Sequence, residues 1–305
     1  MIVDTVAKFV ANDSPVERFR KLRDTERGWE PAMWERMGEF GWLGVAFPED
    51  QGGFGGRFVD MALILEQLGR GLVPEPYIAS VVLAGGLISR LGTASQIERH
   101  LAPMIEGQKS LALAYAERQS RYHLGNCQTS ASRSGDTYTL HGEKVWVLNG
   151  HAAEEIVVVA RTAGEPLDES GLTLFVVDAN APGLTRTPVN GMDGQRTALL
   201  HFDGVEVPAE RMLGEEGHGL EPLEWAIDRG AAAACAEGQG EIQELFERTV
   251  AYLKERQQFG VPIGTFQALQ HRAADMFIET ELCRSTMILA AIQADSEDPE
   301  ERKAD

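Results

Sequence analysis

Long apolar runs are missing from this chain. No stretch of about 18 apolar residues occurs, so no segment reads as a bilayer-spanning helix. Its first residues include Asp4 and lack an apolar leader core, which favours a cytoplasmic setting over secretion. Cysteine is scarce: Cys127, Cys235 and Cys283 lie far apart, are odd in number and match no metal-ligand spacing. A reducing compartment is expected, with Cys235 and Cys283 as buried, inert thiols in helical patterns. Basic residues are outnumbered, 28 against 47, for a net charge of −19. That balance argues against nucleic acid or an anionic membrane as partner, while leaving room for local basic patches that meet an anionic ligand.

Other chemistries are missing too. His123, His141, His151, His201 and His218 share no ligand spacing, so no metal centre is expected. No Gly-x-Ser-x-Gly elbow marks a hydrolase. Gly52, Gly53, Gly55 and Gly56 crowd together, but no Gly-Lys-Ser/Thr follows them, so they read as a turn and not a phosphate loop.

What is present has an order: helical, then β, then helical. A chain of 305 residues leads us to expect two or three domains, here 1–109, 110–216 and 217–305. The first carries helical stripes, including Trp34, Met37, Phe40 and Leu43, then Val59–Leu72, Ile78–Leu91 and Ala94–Ile105. Glu66 and Arg70 are spaced to pair on an exposed helix face. The second holds strand candidates at Leu111–Ala116, around Tyr138 to Val147, and at Ile156–Arg161, Leu172–Asp178 and Ala198–Val207. Short strands parted by turns, with no helix-length insertions, predict an antiparallel barrel or sandwich. The third opens on one long helix, Leu220–Lys254, whose small residues Gly230, Ala231 to Ala234, Gly238 and Gly240 admit another backbone or a flat ligand.

The long helix ends in Arg256-Gln257-Gln258-Phe259-Gly260-Val261-Pro262-Ile263-Gly264, and a second helix follows with Thr265 as its expected cap. A guanidinium suits a pyrophosphate and a phenyl ring suits an aromatic base. The same residues also fit a plain helix hairpin with a solvated Arg.

Arg256-Gln257-Gln258-Phe259-Gly260-x-Pro262-Ile263-Gly264-x-Phe266-Gln267, followed by Ala274-Asp275-Met276, resembles the signature of the acyl-CoA dehydrogenase family. Pro48-Glu49-x-x-Gly52-Gly53 with Glu66-x-x-Gly69 resembles that family's helical N-domain, and Lys144-x-Trp146-Val147-x-Asn149-Gly150 its flavin-contacting strand. Glu117–Tyr122, Phe266–Arg272 and Glu297–Arg302 resemble the small subunits of pimeloyl-CoA dehydrogenases. The resemblance implies a mainly α fold with a central antiparallel β-barrel and a C-terminal helical bundle, with the chain stopping at Asp305 before the family's last helices.

It also implies FAD as cofactor, fatty-acid β-oxidation chemistry and α,β-dehydrogenation of an acyl-CoA to the trans-2-enoyl-CoA. Electron-transferring flavoprotein would accept the electrons. By position, Arg256, Gln258 and Phe259 would reach the FAD of a neighbouring subunit, and Trp146, Val147 and Leu148 would lie along the flavin, making a dimer or tetramer expected. Three departures stand out. Ala116–His123 lacks the family's hydroxyl and Gly-Ser pair, Leu148 replaces a Thr that donates near flavin N5, and the family's closing helices carry further flavin contacts. Asp228 is the candidate base, with Glu237 and Glu117 behind it; an Asp228–Arg229 ion pair is the alternative reading. These departures imply one half of a heteromeric dehydrogenase, the alternative being a non-catalytic or acyl-CoA-binding assembly subunit on the same fold.

Overall fold

Strands form where the sequence alternates or runs in aliphatic residues. The computed structural model describes residues 2–303. The strands are β1 (Leu111–Ala114), β2 (Ser130–Ser134), β3 (Thr137–Leu148), β4 (Glu155–Arg161), β5 (Leu172–Asp178), β6 (Leu184–Asn190), β7 (Arg196–Pro208) and β8 (Met212–Leu213). They make one eight-stranded sheet in the order β6-β7-β3-β2-β4-β5-β8, with β1 joined to β4. The neighbours are antiparallel except that β1 runs parallel to β4, and β2 meets β4 at one parallel pair, Ser130 with Arg161. Its inner face packs Tyr138, Leu140, Ile156, Val158, Phe175, Leu200 and Phe202 into one cluster of fully buried side chains. Helices precede and follow this sheet in the chain, as expected.

The chain separates into two compact units. One combines Arg20–Gly56 with Pro74–Gly230 and holds the sheet. In it, the Pro31–Glu39 helix starts on a proline that needs no amide partner and is followed by Gly41 at φ 76°. Ser80 Oγ, on the Ile78–Gly85 π-helix, donates to Leu111 O (2.8 Å) and fixes that helix on β1. The other unit takes residues up to Phe19, Arg57–Val73 and those from Ala231 on. Here the Phe58–Arg70 helix buries Phe58, Met61, Ala62, Ile64, Leu65 and Leu68 at three-four spacing.

Several expectations are corrected. Glu66 and Arg70 do not pair with each other. Glu66 is buried and accepts from Arg284 Nε (2.9 Å), while Arg70 binds Glu244 (3.1 Å) and Glu247. The helix face they share is covered by other helices of that unit instead of by water. Cys235 and Cys283 are exposed, because each falls off the apolar stripe of its helix. Thr265 caps nothing: its hydroxyl donates back to Pro262 O (2.8 Å), and Phe266 occupies the cap position of the Gln267–Gln293 helix. Among the described residues, no helix is long and apolar enough to cross a membrane.

Candidate functional site

Five non-glycine residues among those described have positive φ, and three of them fall in the two motifs singled out above: Trp146 (54°), Asn149 (57°) and Phe259 (55°). Left-handed backbone costs an L-residue about 1–2 kcal/mol, so its concentration there points to constraint by function.

On β3 the register against β7 shifts between Lys144 and Val147. This bulge re-aims one side chain. Lys144 and Val147 turn inward and are fully buried, whereas Trp146 stands 61% exposed and Leu148 41% exposed. The strand therefore presents an indole and an isobutyl group side by side on its outer face. Beyond it, Asn149 locks the strand end: Trp29 Nε1 donates to its Oδ1 (3.1 Å), and its amide donates to Ser110 Oγ (3.1 Å) and Leu111 O (3.2 Å).

On the inner side of the same strand lies a buried ion pair. Lys144 Nζ donates to Glu117 Oε1 (2.7 Å), Tyr115 O (3.2 Å) and Cys127 Sγ (3.5 Å). Glu117 also accepts from Gln128 N (2.8 Å), Thr129 N (3.0 Å), Gln119 Nε2 (2.6 Å) and the Cys127 thiol (3.3 Å). Burial by itself would raise the Glu117 carboxyl, but Lys144 and these donors outweigh it and hold it down at about 2. The Cys127 thiol is pushed up, chiefly by burial, so it is a neutral donor and not a nucleophile. A carboxylate that accepts five bonds and stays ionised to about pH 2 is a poor proton acceptor at neutral pH. We therefore read Glu117 as an anchor and set it aside as a base. Lys144 is part of the strand motif quoted above, but its buried pairing with Glu117 is not anticipated there. The signal for it was its place on the same strand parity as Tyr138 and Leu140, an inner face where an ammonium requires a carboxylate.

Asp228 is half-buried on the long helix Leu220–Glu255, and its neighbour Arg229 lies over the Trp225 ring at 4.8 Å. Glu237 sits in the other unit, where its carbonyl meets Gly69.

The long helix stops at Glu255, and Gln257–Gln258 pair antiparallel with Val261–Pro262. Phe259 and Gly260 take φ of 55° and 82°, the double-positive pattern of a type I′ turn. This turn lifts Phe259 to 92% exposure, with Arg256 and Gln258 also exposed beside it. Phe259 keeps one edge contact, to Phe266 at 6.1 Å between centroids. An exposed phenyl group on left-handed backbone is unfavourable twice over for the isolated chain.

Comparison with known proteins covers nearly the whole chain. Models of the acyl-CoA dehydrogenase N-terminal, middle and C-terminal domains match residues 1–108, 112–205 and 217–305. The probable acyl-CoA dehydrogenase YngJ of Bacillus subtilis is 34% identical over 88% of this chain and 72% of its own length. Among solved structures, butyryl-CoA dehydrogenase from Megasphaera elsdenii superposes with a TM-score of 0.90 at 29% identity, over 98% of this chain and 80% of that one. The ChsE4-ChsE5 complex from Mycobacterium tuberculosis gives 0.86 at 28% identity, over 98% and 78%.

Proposed function

The chain belongs to the acyl-CoA dehydrogenase family, and from that premise we propose that it works as one subunit of a heteromeric acyl-CoA dehydrogenase. It is an oxidoreductase that acts on acyl-CoA thioesters, with FAD as cofactor. Relatives named as dehydrogenases at 30% identity and above favour an enzyme over a non-catalytic assembly subunit. The observation that carries the heteromeric reading is Leu148, exposed beside Trp146 on the outer face of β3 where it has no hydrogen to donate to a flavin of this chain's own; the exposed Phe259 turn with Arg256 supports a neighbouring subunit of either kind. A structure of a two-component complex among the neighbours supports the same reading.

The residues present fit FAD in part. Trp146 and Leu148 form a flat apolar platform suited to a heteroaromatic ring, and Phe259, Gln258 and Arg256 suit the adenine and pyrophosphate of a cofactor held by a neighbouring subunit. Leu148 has no hydrogen to donate, so this platform orients a ring without polarising it. Bound FAD supplies the hydride acceptor. On this reading Asp228 takes the α-proton onto a carboxylate oxygen, Val147 backs the platform from the core, and electron-transferring flavoprotein is the electron acceptor. The chain then divides into a helical part over 1–109, a β part over 110–216 and a helical part over 217–305, with pimeloyl-type small subunits as its functional counterpart.

Purified alone, the chain is expected to carry little FAD and no turnover, and co-expression with a large subunit should restore both. Full flavin occupancy with anaerobic bleaching by acyl-CoA in the isolated homomer would refute the proposal. In the co-expressed complex, Asp228→Asn should lower kcat by about 10²–10⁴-fold with assembly intact, the range of a lost general base. Undiminished turnover would remove Asp228 from the mechanism.

A further inference from the structure

At one end of the sheet, four cationic or cationisable side chains from four segments converge. His151 follows β3, Arg186 lies on the edge strand β6, Arg196 opens β7, and Arg27 sits in the loop before the Pro31–Glu39 helix. The contacts interlock. His151 Nε2 donates to Arg27 O (2.9 Å), Arg186 Nη1 donates to His151 O (3.3 Å) and Ala153 O (3.1 Å), and Arg196 Nη1 donates to Glu26 O (3.1 Å). Among the described residues, the carboxylate that meets this group is Glu154, 3.4 Å from Arg27, and its other oxygen already accepts from the Ser110 amide (2.7 Å) and hydroxyl (2.8 Å).

Two nitrogens here are buried with no hydrogen-bond partner, Arg196 Nε and His151 Nδ1. A buried polar atom left unpaired is destabilising: Arg196 Nε, always a donor, lacks an acceptor, while His151 Nδ1, with the ring proton on Nε2, has an open lone pair and turns donor only on protonation. A water would satisfy a donor but would leave the three guanidiniums with one half-committed carboxylate, on Arg27, and with backbone carbonyls on Arg186 and Arg196. In a chain of net charge −19 such a cationic focus is also against the overall balance.

We propose that Arg27, Arg186, Arg196 and His151 form a site for a phosphate-type oxyanion, either free or carried on a larger ligand. A tetrahedral oxyanion accepts from forked guanidiniums in several directions at once. His151 is now held neutral, first by burial and then by the three arginines. An anion reverses the second of these effects, so Nδ1 gains a proton and becomes a further donor.

The test titrates the full chain with inorganic phosphate, pyrophosphate or coenzyme A against sodium chloride at matched ionic strength. It follows thermal unfolding and the ring resonances of labelled His151. Phosphate is expected to raise the unfolding midpoint saturably and to shift the His151 titration upward, with chloride doing neither. Arg27→Gln, at a half-exposed position, should weaken binding at least tenfold and keep the fold; Arg196→Gln should abolish it. If coenzyme A competes with phosphate, the oxyanion is ligand-borne; if phosphate binds and coenzyme A does not, it is free. Phosphate indistinguishable from chloride in both readouts, or Arg27→Gln binding like the wild type, overturns the proposal.

Discussion

The Glu117→Gln chain is expected to unfold about 3–5 kcal/mol more easily than the wild type, and Lys144→Met by a similar amount, because each leaves one buried charge unpaired. The pair is almost wholly removed from water, at 2.7 Å, so little solvent screens the loss. Combining Glu117→Gln with Lys144→Met removes both charges, and the double variant should recover most of the stability lost by either one. The acid limb follows with a definite sign. Glu117 is lowered to about 2 in the fold from an ordinary 4.5, so its contribution is complete above pH 4.5 and is lost as the pH falls toward 2. That shift corresponds to about 3 kcal/mol. Urea midpoints at pH 7, 4.5 and 3 measure it, and the Glu117→Gln chain should show a flatter decline over that window. Trp146 reports the structural consequence, since it stands on the bulge whose inner side this pair holds; its fluorescence should shift in either single variant. Single variants within about 1 kcal/mol of the wild type would show that the pair does not anchor the platform.

That ion pair also shows where the sequence was and was not legible. Glu155–Arg161 and Leu172–Asp178 run in aliphatic residues and were readable as strands, since every position but Asp178 is buried. β2 and β6 were not. Ser130–Ser134 has one apolar residue, and Leu184–Asn190 contains Pro188, which an edge strand paired only to β7 tolerates. The motifs at Trp146 and Phe259 were readable as residues, but not the positive φ that makes each protrude. Glu117 ranks behind Asp228 as a candidate base on sequence, and its anchoring role is hidden there because its partner lies 27 residues away, a distance that leaves no local pattern. The cationic niche is spread over four segments, and only the fold brings His151 to Arg27. Family membership was legible because many short motifs kept their order, which survives where individual contacts do not.

The second large effect concerns the small-residue stripe of the long helix. Gly240→Ala is expected to cost about 2–4 kcal/mol, at or above the usual range for overpacking. A Cβ there would stand 1.8 Å from Glu66 O and 2.9 Å from Arg70 N, both backbone atoms that cannot rotate away. The approach is reciprocal: a Cβ at Gly69 would stand 2.0 Å from Glu237 O. Two helices thus meet backbone to backbone through one glycine each, and adding a methyl group forces them apart. Separation would also loosen Gln239, whose amide donates to Thr280 O (3.3 Å), and the buried Glu66–Arg284 pair (2.9 Å). Gly238 supplies the control. Nothing lies within 4 Å of a Cβ there, so Gly238→Ala should be neutral or stabilise the helix by up to about 1 kcal/mol through propensity alone. Chemical denaturation of the two single variants separates the readings. Equal stability of both would mean that the close approach carries no weight. A wide gap, with Gly240→Ala the weaker, assigns Gly240 to helix packing and not to a flat ligand. What the sequence offered as two uses for this part of the stripe, backbone approach or ligand seat, then reduces to the first.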